Sequence, residues 1–195
     1  MSDITTRVSV IGEAVYPHLT KPDVRFNEYG EFKVTLKIGK QDASAMVKLF
    51  DQACEDSLAS AEKEAKGKKS KSAPRPYKLE GDNVFFKFKM RASGKNKKTN
   101  EMFSQRPALF DAKKNPISTS QSIWGGSLMK VAYQLFPYHT PMLGAGVSAR
   151  LKAVQILKLV EGQSQNIFKE EDGFETDTPK SNSNGTTKVQ ESTDF

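Results

Sequence analysis

The strongest constraint on this chain is a strict alternation of apolar and charged residues in two separate stretches. In EFKVTLKI, residues 31–38, Phe32, Val34, Leu36 and Ile38 fall on one face, and Lys33, Thr35 and Lys37 fall on the other. In VFFKFKMRAS, residues 84–93, Phe86, Phe88, Met90 and Ala92 share a face. Phe85, Lys87, Lys89 and Arg91 share the opposite one. A repeat of two is the side-chain period of a strand, so both stretches are predicted as strands with one buried face. The second stretch poses a chemical question, because a merely solvated face has no use for a phenylalanine beside three cations.

Between these strands the period changes. Val47, Phe50, Cys54, Leu58 and Ala61 are spaced by three and four, which predicts a helix with one apolar stripe. Asp42 or Ser44 is the candidate cap, and the helix fades near Gly67, where the basic stretch GKKSKSAPRP begins. RVSVIGEAV, residues 7–15, reads as a strand with a bulge at Gly12, and YPHLTKPDVRFNEYG reads as a loop. EGDN is a turn, SGKNKKTN a basic loop, and RPALFDAKKNPI a short hairpin weakened by Pro107. KVAYQLF, residues 130–136, alternates again. The run from Val147 to Val160 starts as a strand and loses its phase after Ala153, as a bulge or a change from edge to centre would cause. The sum is a small barrel or sandwich of short strands with one intervening helix.

Of 195 residues, 30 are Lys or Arg and 23 are Asp or Glu, for a formal charge of +7. Residues 1–160 carry +12 and residues 161–195 carry −5. A basic body favours an anionic partner. The composition after Gln163 (Ser, Asn, Thr, Gly, Asp and Glu) cannot bury a core, so the expected division is a folded domain over 1–163 and a disordered acidic tail over 164–195. A single cysteine, Cys54, excludes a disulfide framework and a cysteine-rich zinc site. The sequence has no signal-like or membrane-spanning apolar run, so a cytoplasmic setting without membrane attachment is expected.

Three strand segments repeat the same device, with Lys33 and Lys37, then Phe85, Lys87, Lys89 and Arg91, then Arg150 and Lys152 on the polar face. On one strand such lysines are an ordinary solvated edge, whereas on neighbouring strands they compose one positive face. Cations neutralise phosphates and exposed rings stack on unpaired bases, whose faces a duplex hides. The mixture therefore points to single-stranded nucleic acid. Tyr29, Tyr77 and Tyr138 are placed in loops beside strand ends, where a ring can swing against a base. Trp124, followed by Gly125 and Gly126, reads either as a stacking platform or as a core residue capping the barrel, and a lone tryptophan is usually mostly buried.

An enzymatic alternative is visible. Asp23, with Glu31 and Lys33 in an E-x-K arrangement, mimics a metal-dependent nuclease, in which two carboxylates hold Mg²⁺ and the lysine positions water. E-x-K also arises by chance in any lysine-rich strand. His18 and His139 lack a partner pattern, GKKSKS lacks the first glycine of a phosphate loop, and Cys54 lies on the helix's apolar stripe. Neither a metal site nor a cofactor is expected. An RNA-binding module is the other alternative.

Four segments, KPD…NEYGEFKVTL, YKLEGDNVFFKFKMRASGKNKKTNE, GGSLMKVAYQLFPY and GAGVSARLKAVQILKLVE, resemble in order and spacing the single-stranded DNA-binding proteins of podovirus-type bacteriophages. The resemblance covers about residues 20–160. It implies a mainly β chain, an OB-fold five-stranded barrel with one inserted helix. It also implies a non-catalytic protein that coats single-stranded DNA during replication, recombination and repair in the cytoplasm of the infected bacterium. It adds Lys130 and Tyr138 as DNA contacts. Where the family has a second lysine this chain has Ala132, and where the family has a basic residue this chain has Tyr29. The family's acidic tail, which docks replication partners such as DNA polymerase and helicase-primase and competes with DNA, is thinned here, with Asp194 and Phe195 keeping its ending. A thin tail on a basic body implies weak duplex binding as well. The oligomeric state stays open, a homodimer included.

Overall fold

The computed structural model describes residues 5–65, 69–96 and 99–161. The expected tail, with Asp194 and Phe195, lies outside the described residues. Among the described residues, ten strands and one helix follow one another. They are β1 (Arg7–Val8), β2 (Gly12–Asp23), β3 (Glu31–Gly39), α1 (Lys40–Glu64), β4 (Tyr77–Glu80) and β5 (Asn83–Arg91). Then come β6 (Ser93–Lys95), β7 (Met102–Ser104), β8 (Ala108–Phe110), β9 (Leu128–Thr140) and β10 (Gly144–Lys158).

Five of these strands form a ring. β9 pairs β2, β2 pairs β3, β3 pairs β5, β5 pairs β10, and β10 returns to β9. All of these contacts are antiparallel except β5–β10, which is parallel. The ring is the OB barrel, with α1 inserted between its second and third strands. The two alternating stretches sit side by side in it, registered residue for residue from Glu31↔Arg91 to Gly39↔Asn83. Their apolar faces point inward: Phe32, Val34, Leu36, Ile38, Phe86, Phe88 and Met90 are all buried.

The helix closes one end of the core with Ala43, Met46, Phe50, Cys54, Ser57 and Ala61. Its buried stripe is rotated slightly from the expected one, leaving Val47 and Leu58 half-buried. Phe50 meets Phe86 at 5.1 Å, Tyr133 at 5.5 Å and Tyr77 at 6.3 Å between ring centroids. Such offset and edge-on aromatic contacts add to area burial. The cap is Gly39, with no side-chain hydrogen bond, so neither Asp42 nor Ser44 serves. The helix starts directly off β3, earlier than either candidate.

Several expectations need correction. The supposed loop after Val15 is mostly strand, since β2 continues to Asp23 through Pro17 and Pro22. Its register against β3 slips between Val15 and His18 and again before Asp23. The prolines are tolerated because these bulged stretches need no ladder N–H from them. The basic loop at 93–100 begins as β6, which pairs β7. β4 was not expected at all. The hairpin near AKKN reduces to β8 and an isolated Phe110↔Pro116 bridge, its turn held by Asp111, which accepts from Asn115 and Lys113. β10 does bulge, at Lys152, where its neighbour changes from β5 to β8.

A candidate nucleic-acid interface

The outer face of β3 and β5 brings the expected cations together. Lys33 lies directly opposite Lys89, Thr35 opposite Lys87, and Glu31 opposite Arg91. Arg150 on β10 neighbours Lys89 from the other side. Like charges directly opposite one another in a sheet are unfavourable, so this face carries an electrostatic cost that a bound polyanion would offset.

Beside this face runs a groove of about 840 Å³, lined by Lys33, Lys87, Lys89, Arg91, Tyr138 and Leu143 among others. It exists because β5 and β10 diverge. They share only the Arg150↔Lys89 pair, and the inward-facing Val147 and Ala149 reach the groove floor through the gap. The segment before β4 straps the far end of that gap. Ala73 N–H donates to the Ala145 carbonyl at 2.7 Å, Ala145 N–H to the Lys71 carbonyl at 2.8 Å, and Lys87 N–H to the Pro76 carbonyl at 3.0 Å.

Two acids restrain these cations. Asp23, almost wholly buried, accepts from the Arg25 guanidinium through both oxygens, at 3.0 and 2.9 Å, and from Lys33 Nζ at 2.6 Å. The Arg25 and Lys33 hydrogen bonds hold its carboxyl well below the usual carboxylate range. Glu31 lies 3.6 Å from Lys89. Both acids of the nuclease alternative are thus engaged by cations, and no group of three His, Cys, Asp or Glu side chains fit to hold a metal occurs among the described residues.

The remaining predicted residues divide between the groove, which Tyr138 lines, and other places. Phe85 pairs with Lys37 and with Lys78 of β4, half-buried and outside the groove lining, because β4 flanks that half of β5. Tyr77 is not a loop ring. It opens β4, packs on Phe50 and Phe86, and donates its hydroxyl to Asp51 at 2.7 Å. Burial and the Asp51 carboxylate push its hydroxyl up to about 12. Tyr138 is a β9 residue opposite Gly146, where a Cβ would fall 3.1 Å from the tyrosine hydroxyl. Tyr29 does lie in a loop, its ring 6.0 Å from the Arg91 guanidinium. Lys37 is 3.4 Å from Glu13, Lys130 lies opposite Gln155, and Lys152 is the bulged residue; none of them lines the groove. Trp124, which a lone tryptophan's usual burial would put in the core, is 55% exposed and lines a separate pocket.

Two rings near this face were missed. The Arg150 guanidinium lies 3.5 Å from the Phe136 ring centroid, and Phe26 is 90% exposed beside Arg25. Phe136 was already outward by alternation, so its place opposite Ser148 was the missing information.

The family model for the single-stranded DNA-binding protein of bacteriophage T7 matches residues 11–159. The chain belongs to this family. A single-stranded DNA-binding protein of Enterobacteria phage T3 is 32% identical over 167 residues, covering 74% of this chain and 71% of that one. One from Escherichia phage T7 is 33% identical over 178 residues, 77% and 75% of the two chains. A crystal structure of a T7-encoded member of the family superposes with a TM-score of 0.74 at 28% identity, over 89% of this chain and 99% of that one. The single-stranded DNA-binding protein of bacteriophage Enc34, solved in complex with single-stranded DNA, has a TM-score of 0.57 at 17% identity over 80% and 88%, a likeness of fold.

Proposed function

We propose that this phage protein coats single-stranded DNA, with little sequence preference and without catalysis, by laying the strand along the β5–β10 groove. The observation that carries the reading is the run of Lys33, Lys87, Lys89 and Arg91 on one groove that also holds Tyr138. Family membership supports it. The cations meet phosphates and release counterions, while Tyr138 supplies a ring for an unpaired base. The work is done in the cytoplasm of the infected cell, with replication proteins as further partners of residues 164–195.

The test is a titration of single-stranded DNA, duplex DNA and RNA at two salt concentrations. Single-stranded DNA should bind tightest and duplex DNA weakly. Lys87→Ala and Lys89→Ala should each reduce the slope of log affinity against log salt by about 0.7, and Tyr138→Ala should weaken binding without changing it. If all three variants bind like the parent, the strand does not use this groove. Labelled DNA incubated with Mg²⁺ should stay intact; cleavage abolished by Asp23→Ala would restore the nuclease reading.

A further inference from the structure

The pocket that Trp124 lines has no part in the groove. It measures about 700 Å³ and lies between the start of β2 and the end of β10, with Tyr16, Pro17, His18, Ile123 and Val160 among its walls. Two features mark it. Trp124 exposes more than half its surface, and Tyr16 exposes 83% of its own. Tyr16 also sits at φ 47°, in the left-handed region that bulky residues seldom occupy. Neither arrangement follows from packing, since an exposed indole and a strained, solvated tyrosine contribute little to a core.

The backbone under Trp124 is tied down on both sides. Its N–H donates to the Val160 carbonyl at 3.1 Å, and its own carbonyl accepts from Ser127 Oγ at 2.8 Å. Ser127 is fully buried and also accepts from Val160 N–H at 2.9 Å, while its carbonyl takes Ala14 N–H at 2.8 Å. The indole is therefore exposed on a fixed support. Next to it, a side chain at Gly125 would meet only the Ala14 carbonyl, at 3.6 Å, so a ligand has room to approach.

We infer that this pocket is a second base-stacking subsite, in which Trp124 and Tyr16 receive an unpaired base of the same strand that fills the groove. The inference rests on the groove reading above. Continuity supplies the direction, because His18 of the pocket lies directly opposite Lys33 of the groove across β2 and β3. A strand leaving the groove over Lys33 reaches His18 one strand spacing away, roughly 5 Å. The pocket's acids do not oppose a neutral base: Glu13 is paired with Lys37 and Glu161 accepts from Gln121 at 2.7 Å. Phosphates stay on the lysine side.

Trp124 is the only tryptophan in the chain, so its emission reports this pocket alone. Full-length protein is titrated with oligo-dT of increasing length, reading binding by anisotropy of labelled DNA and stacking by Trp124 emission and its shielding from acrylamide. A long oligonucleotide should quench and shield Trp124, whereas one too short to leave the groove should bind without doing so. Trp124→Ala should weaken the long oligonucleotide roughly tenfold and leave the short one unchanged, with Trp124→Phe recovering most of the loss. Because the side chain is exposed, these variants should fold, which circular dichroism checks. If long DNA binds by anisotropy while Trp124 stays unquenched and accessible, the pocket is not a stacking subsite, a basic peptide becomes the better occupant, and the groove reading stands. If no DNA binds by anisotropy, the groove reading falls with it.

Discussion

Asp23 joins the end of β2 to the outer face of β3 through Lys33, and to the following loop through Arg25. Its carboxyl is held well below the ordinary range by those two hydrogen-bonded cations. A carboxyl with a depressed folded-state pKa stabilises the protein above its unfolded pKa of about 4, and that contribution is lost as pH falls toward the folded value. Asp23→Asn should therefore be less stable than the parent at neutral pH, and the gap should narrow below about pH 4. Urea midpoints of both proteins between pH 2 and 7 measure this, and a gap independent of pH would remove the ionic explanation. The same substitution frees Lys33 for phosphate, so it should steepen the salt dependence of DNA binding even as it weakens the fold.

At the scale of elements, the strap before β4 lines one end of the groove through Pro74 and Pro76. It is positioned by Gly144, which opens β10 at φ 92° and would drive any Cβ into the Lys71 carbonyl. Gly144→Ala combines a disfavoured backbone conformation with a main-chain collision and should cost more than about 1 kcal/mol, read by chemical denaturation. A neutral result would mean that the strap is not fixed there. The elements differ in how plainly the sequence announces them. β3 and β5 are legible because every inward residue is apolar and every neighbour polar or basic, with Phe85 as the exception. The second half of β2 was hidden because Pro17 and Pro22 look like loop residues until its bulges are known. The places of Phe85 and Tyr77 were illegible for another reason. Both depend on β4, a short strand whose burial pattern is mostly exposed, and which decides what flanks β5. The positive face could be read from alternation within strands, whereas the groove could not, since it arises from two strands far apart in sequence failing to stay paired.

At the scale of the whole molecule, the ring of strands is closed very unevenly. β3 and β5 pair along their full length and β9 and β10 along nearly all of theirs, but β5 and β10 meet at Arg150↔Lys89 alone. Between Ala145, held by the strap, and Arg150, the groove-side edge of β10 has no strand partner among the described residues. Backbone in such a stretch opens more readily than a full ladder. Amide hydrogens of residues 147–149 that point to the groove rather than to β9 should exchange earlier in the free protein than those of β3 and β5 paired along the ladder, and slow most when single-stranded DNA is added; protection spread evenly around the barrel would contradict this. On the proposed placement, a strand of DNA would touch both lips of the gap through Lys87, Lys89, Tyr138 and Leu143, which line it. It acts as a clasp on a bracelet that the backbone itself fastens with one link. Coating DNA and keeping the barrel shut then become one equilibrium, and the protein should melt at a higher temperature on the strand it protects than off it.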